Sequence, residues 1–312
     1  MKLQSVNINQ CLRAFAIMFV VANHATWYDL GGGMNFLMLL SGFNFAAFSF
    51  AKDKVAIIKD LWRLTLKIVI PSMIIISCYF ILKGRFEFKE LFMVSNFFYL
   101  NKVSDIALPI WYPQVFLQMA IILSLLFYFT PLAKVLRGKK VLYMLMILVA
   151  AIAINVVSKH YWNFSHLLGR MPHLFLWNFI LGWCFCLMLE KPTLKNNILV
   201  SMAFMIAMLF VMGGFGESNR FYIFSGLVLA FIWLKNLKFP PLIARGINLV
   251  ASATFFIFLS HLSFFEFYQW MTHEIEIAYK LDVLLKFSFA ILGSVLLWLL
   301  LSSANTARQR VW

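Results

Sequence analysis

The amino-acid sequence predicts an all-α integral membrane protein, a bundle of about ten transmembrane helices with both termini on the cytoplasmic side. Three observations carry this reading. Of the 312 residues, 63% are apolar or aromatic and only 12% are charged, with a mean hydropathy of +0.86. A soluble domain keeps roughly 25% charged residues, so this chain is too poor in charge to cover itself against water. Apolar runs close to the roughly 20 residues that cross hydrocarbon recur along the chain, without the period-2 alternation of barrel strands. Finally, 27 Lys and Arg face 12 Asp and Glu, and the basic residues sit in short gaps between apolar runs. There they orient helices; they do not form a nucleic-acid surface.

The runs fall at roughly 10–26, 33–50, 62–82, 109–129, 139–158, 172–189, 195–213, 218–235, 248–270 and 283–302. The polar MKLQSVNINQ start and the absence of a small-residue cleavage site make the first run a retained helix and not a signal peptide. Gly31-Gly-Gly33 opens the second run with a tight outer turn, and Ser41-Gly42 midway lets another helix approach its backbone. Lys52, Lys54, Lys59 and Arg63 mark the inner end of the third run, which contains Pro71. The long outer gap at about 83–108 holds only the short apolar stretch Leu91–Leu100, too short for a span. Pro131 and the basic group Lys134, Arg137, Lys139 and Lys140 separate the fourth run from the fifth on the inner side. An outer gap at about 159–171 carries His160, His166 and Arg170, and Pro172 opens the sixth run.

Lys191 and Lys195 lie inside before the seventh run, Arg220 outside at the start of the eighth, and Lys235, Lys238, Pro240, Pro241 and Arg245 inside before the ninth. Lys280 and Lys286 flank the outer start of the tenth. With the amino terminus in the cytoplasm, the larger share of the basic residues falls inside. Cys11, Cys78, Cys184 and Cys186 have no CxxC spacing and read as small core residues. No repeat or low-complexity tract divides the chain, so one domain over 1–312 is expected, with no soluble module at either end.

Ionisable groups inside membrane helices are costly and mark functional sites. The first run holds Arg13 and His24 within LRAFAIMFVVANH. Eleven residues at about 100° each make three turns plus about 20°, so the two share one face about 16 Å apart. Taken alone, Arg13 also fits a positive-inside anchor and His24 an interfacial residue. Asn35 sits among Phe and Met and is expected to face the bundle together with Ser41. Arg63 and Lys67 share a helix face at the inner mouth, where two cations suit phosphate groups or lipid snorkelling. His261 lies well inside the ninth run, Trp111 and Gln118 are in the fourth, and Arg170 sits at the outer gap. His160, His166 and His173 fit no zinc spacing, so no metal site is expected.

Together these segments resemble the acyltransferase 3 family of multi-span membrane acyltransferases. Arg13 and His24 match its Arg-x10-His pattern, and GMNFLMLLSGF at 33–43 is similar to its GVDLFFVLSGF signature. Arg63 and Lys67 ahead of Pro71 resemble its basic pair. Leu108, Pro109, Trp111, Tyr112, Gln118 and Pro131 resemble its tryptophan-containing fourth helix. Arg170 and Pro172, followed by Phe179 and Gly182, look like its R-x-P and F-x-x-G segment, and Thr254 to His261 is similar to SYSIYLLH. The chain departs from the pattern where Asn35 replaces Asp, Lys67 replaces Arg, and Phe255 and Phe258 replace tyrosines. The SGNH hydrolase-like domain of some members is expected to be absent.

The resemblance implies transfer of an acyl group, most simply acetyl, from cytoplasmic acyl-CoA to a hydroxyl of a cell-surface saccharide or glycolipid. It implies a multi-pass protein of the bacterial cytoplasmic membrane, with acetyl-CoA or another acyl-CoA as donor substrate and no permanently bound cofactor. His24 and Arg13 become the catalytic residues, with His24 as general base or acyl carrier. Arg13, Arg63 and Lys67 become the donor-binding cations, and Asn35, Ser41, Trp111, Gln118, Arg170 and His261 candidate acceptor contacts. The alternative is a transporter or flippase for a sugar or lipid-linked sugar that uses buried His and Arg as a relay.

Overall fold

Hydrocarbon offers no partner to a backbone N–H or C=O, so an apolar run can cross it only by closing its hydrogen bonds within itself. Each of the predicted runs is helical over most of its described residues in the computed structural model, which describes residues 3–26, 30–84, 86–97, 110–138, 141–161, 170–190, 193–212 and 219–309. The elements are β1 (Gln4–Asn7), α1 (Ile8–Ala25), α2 (Gly33–Ser49), α3 (Lys54–Lys83), α4 (Phe88–Leu91), a 3-10 turn at Ser95–Phe97 and α5 (Trp111–Phe129). They continue with α6 (Leu132–Arg137), α7 (Val141–Tyr161), α8 (Pro172–Met188), α9 (Leu194–Met212), α10 (Asn219–Trp233), β2 (Asn236–Phe239), α11 (Pro241–Thr272) and α12 (Tyr279–Gln309).

Six of these helices are long and apolar enough to cross a membrane: α3, α5, α7, α9, α11 and α12. α2, α8 and α10 are apolar but shorter. The 18 residues of α1 include Arg13, Asn23 and His24, which dilute its apolar character. The expected count of about ten spans thus separates into six full-length helices and four that are shorter or more polar.

Several helices begin outside their apolar runs, because the start of a helix is set by its cap and not by hydropathy. α3 starts at Lys54, where Asp53 accepts from the Ala56 N–H at 2.9 Å. It ends at Gly84, whose φ of 62° closes the helix in the left-handed conformation. α3 also runs through Pro71, which removes one backbone donor, and the Ser72 hydroxyl bonds the Ile68 carbonyl at 2.7 Å beside the gap. Pro172 and Pro241 occupy the first turns of α8 and α11, where the missing N–H costs nothing.

The elements form two compact units. One contains β1, α1, α10, β2, α11 and α12. Its antiparallel ribbon pairs Gln4 with Phe239 and Asn7 with Asn236, and the Ile8 N–H continues the ladder to the Lys235 carbonyl at 2.9 Å. Asn7 then caps α1 by accepting from the Asn9 N–H at 2.8 Å, while Pro240 and Pro241 end β2 and open α11. Two helices therefore leave one ribbon, and α1 packs along α11, which packs along α12. The Ser260 hydroxyl meets that of Ser294 at 2.8 Å and pins α11 to α12. At the other end of α1, Gly32 adopts a φ of 104° against the backbone of Arg220 and Phe224 on α10.

The second unit holds α2 from Asn35 onward together with α3 to α9. Here α2 and α8 approach to backbone contact: a Cβ on Gly42 would collide with the Phe179 carbonyl, and one on Gly182 with the Leu39 carbonyl. Phe45, Phe50, Phe127, Phe179 and Trp183 fill the space beside this crossing with mutually tilted and edge-on rings. α3 packs against α5 and α7 against α8. Lys54 donates to the Tyr128 carbonyl at 3.0 Å and Arg137 to the Lys52 carbonyl at 3.1 Å, tying the start of α3 to α5 and α6.

The α2–α8 crossing gives a direct expectation. Gly42→Ala and Gly182→Ala are each expected to destabilise the protein by about 1–3 kcal/mol, the usual cost of overpacking, read as a lower unfolding temperature in detergent. Gly246→Ala on α11, where a Cβ meets nothing within 4 Å, should be neutral or slightly stabilising in the same assay.

Candidate active site

His24 and His261, more than two hundred residues apart in sequence, meet in the first unit. His24 Nδ1 lies 2.7 Å from His261 Nε2. The rings are within 8° of parallel and their centroids are 5.0 Å apart. That separation is the N···N distance plus the two ring radii, so the rings lie edge to edge in one plane and the hydrogen bond runs in that plane. They are not stacked face to face. His261 is fully buried, and its Nδ1 faces the carbonyls of Ile257 at 3.0 Å and Phe258 at 2.8 Å. Phe258 and Phe265 flank it, the latter edge-on at 5.7 Å. His24 is exposed. An exposed imidazole held by a buried one is a group that can take and return a proton at a fixed position.

The ribbon joins the segments that start α1 and α11, and α1 packs along α11. Counting about 1.5 Å per residue, His24 stands about 24 Å from the first residue of α1 and His261 about 30 Å from the first residue of α11, so each ring lies far along its helix. Asn23 accepts from the Leu30 N–H at 2.7 Å and fixes the turn beyond His24. Arg13, half-buried, lies on α1 nearer the ribbon.

The remaining expected site residues fall into distinct environments. Arg63 and Lys67 are exposed on α3 in the second unit. Arg63 donates to Asp60 at 3.3 Å, and Asp60 also receives Lys52 and the Ser49 hydroxyl. With the Arg63 side chain 60% exposed this ion pair is weak, so the guanidinium can exchange Asp60 for a stronger anion. Lys67 has no ion pair or side-chain hydrogen bond among the described residues. Asn35 is half-buried on α2 and makes no side-chain hydrogen bond among the described residues. Ser41 bonds back to the Leu37 carbonyl at 2.9 Å, with the Tyr112 hydroxyl at 3.4 Å. The exposed Arg170 sits over the Trp111 ring at 5.7 Å, and the Phe175 ring lies tilted 5.2 Å from it.

Gln118 has a structural task that the sequence does not reveal. Its amide exchanges two hydrogen bonds with Asn96, at 2.9 and 2.8 Å, and donates to the Met93 carbonyl at 3.1 Å. Both of its N–H donors are thus used, and Asn96 reaches on to the Arg170 carbonyl at 3.2 Å. Beside it, buried Glu90 accepts from Ser95 at 2.6 Å and Gln114 at 2.9 Å. Together these bonds hold the segment from α4 to the 3-10 turn against α5, with buried Met93 forced to a φ of 57°. Glu90, Asn96 and Gln114 stand out in sequence only as polar residues near apolar ones.

All four cysteines are free; Cys11 and Cys184 are buried and Cys186 is half-buried, whereas Cys78 is exposed on α3. Among the described residues no three His, Cys, Asp or Glu side chains are grouped to hold a metal. Leu108, Pro109, Trp162, Asn163 and His166 lie outside the described residues. For the amide pair, Gln118→Ala should lower stability by about 1–3 kcal/mol, because it strands the buried Asn96 amide, and thermal unfolding in detergent reads this loss.

No curated protein and no solved structure matches the chain. A family model described as an acyltransferase domain matches residues 9–303, a stretch that includes Arg13, His24, the basic pair on α3 and His261. With nearly its whole length covered, this helical membrane chain belongs to the acyltransferase 3 family.

Proposed function

We propose that the protein moves an acyl group, acetyl in the simplest case, from cytoplasmic acyl-CoA to a hydroxyl of a cell-surface saccharide or glycolipid in the bacterial cytoplasmic membrane. The observation that carries this reading is the exposed His24 imidazole held in plane by buried His261. In this scheme the acceptor oxygen attacks the thioester carbonyl while its proton passes to His24. The C–S bond then breaks, and His24 returns the proton to the sulfur, releasing CoA thiol. Arg13 in the first unit, and Arg63 and Lys67 in the second, are the cations assigned to the donor's phosphates. Lys67 supplies a point charge where an arginine would supply a planar fork. Trp111 with Arg170, and Asn35 with Ser41, are the acceptor contacts in the same reading, in which residues 1–312 act as one domain. Membership of an acyltransferase family favours this chemistry over sugar transport.

Purified protein in lipid discs, given isotope-labelled acetyl-CoA and crude cell-envelope glycan, tests the proposal. Wild type is expected to release CoA and label the glycan, and His24→Ala to lose about 10²–10⁴-fold of that rate while still inserting and folding. Near-wild-type transfer by the variant would overturn the role of His24. Label on the protein without acceptor would replace direct transfer by an acyl-enzyme route. Arg13→Ala is expected to raise the KM for acetyl-CoA about tenfold or more with a smaller change in kcat, as removal of a charge-assisted contact requires.

A further inference from the structure

We infer that His261 is the positioning residue that fixes the tautomer of His24, so that His24 works through its Nε2. The inference rests on the acyl-transfer reading for its catalytic consequence, but its geometric part stands on the histidine pair alone.

The argument starts from the two carbonyls. The Ile257 and Phe258 oxygens, at 3.0 and 2.8 Å from His261 Nδ1, can only accept. A lone pair on Nδ1 would face them repulsively, so that nitrogen carries the hydrogen. In its neutral form the ring then bears its lone pair on Nε2, the atom that faces His24. Only one hydrogen fits between nitrogens 2.7 Å apart, and it must come from His24 Nδ1. A neutral His24 that donates from Nδ1 has its own lone pair on Nε2. The protonation pattern of two side chains is thereby set by two backbone oxygens of one helix turn.

Burial makes this setting rigid. His261 has no exposed surface, and the rings of Phe258 and Phe265 pack beside it. One residue back along the chain, the Ser260–Ser294 bond holds the same turn of α11 against α12. When His24 Nε2 takes the acceptor hydroxyl's proton, the ring becomes an imidazolium whose Nδ1–H still points at the His261 lone pair. The bond that orients the neutral ring also stabilises the charged one. This is the part played by a buried carboxylate in a serine hydrolase triad, filled here by a neutral imidazole whose own Nδ1–H is held by two carbonyls.

The test reads the tautomer directly. Protein with ¹⁵N-labelled histidine contains six such rings, and signals lost in His24→Ala and in His261→Gln assign the two of interest. Both rings are expected in the Nδ1–H form, the minor tautomer of free imidazole side chains in water. In His261→Phe, which removes the acceptor, His24 is expected to revert to the Nε2–H form and kcat to fall about 10²-fold or more, with the KM for acetyl-CoA little changed. His261→Gln keeps an amide oxygen where Nε2 was. It is expected to hold His24 in the Nδ1–H form and to recover at least about tenfold of the kcat lost in the Phe variant. An Nε2–H His24 in wild type, or a Phe variant with unchanged tautomer and kcat, would overturn the inference. If the tautomers are as expected but wild type transfers no acyl group, the positioning stands and the proposed reaction fails.

Discussion

Inside hydrocarbon a polar group without a partner costs several kcal/mol, and this cost disciplines the whole molecule. Backbone groups meet it by forming helices. A set of buried side chains meets it by pairing, and where the partners lie on different elements each pair also fixes how two elements lie together. Asn96 with Gln118, Glu90 with Gln114 and Ser260 with Ser294 are hydrogen-bonded sets of this kind. His24 with His261 obeys the same rule, but one of its members is exposed and can react.

The pairing needs α1 and α11 to pack side by side, and their first residues are tied together by the ribbon. β1 and β2 are four residues each, marginal as an isolated pair. Their value lies in where they start α1 and α11. Asn7 caps one helix and Pro241 opens the other, and the packing of α1 along α11 brings the two rings together. A short, mostly exposed ribbon and the hydrogen bond between an exposed and a buried histidine belong to the same pair of helices.

The polar side chains near apolar segments divide by how much of their bonding capacity the fold consumes. Gln118 has spent both N–H donors on holding the α4 segment, so its contribution is the shape of that region. Asn35 and Lys67 have spent none among the described residues, and Arg63 only an exposed ion pair. The first group builds, and the second is available to a ligand. Residue type alone does not separate them, since Gln118 and Asn35 carry the same amide.

Composition and run length were enough to establish a helical membrane protein, because hydrophobic transfer acts on each segment independently of its neighbours. The order of short motifs was enough for the family, and the spacing of Arg13 and His24 was enough to put both on one face of a single helix. Which apolar runs are long enough to span needed the actual caps, since Asp53, Gly84 and Pro241 decide where helices start and stop. The ribbon was hidden, because Gln4–Asn7 pairs with a segment far along the chain and polar residues of that length carry no local strand signal. The contact between His261 and His24 was hidden for the same reason. In sequence it is a lone buried histidine, and only tertiary packing could set its Nε2 against His24 and its Nδ1 against two carbonyls. Burial and periodicity are properties of a segment and can be read along the chain, whereas a hydrogen bond between distant residues depends on a distance that only the folded molecule defines.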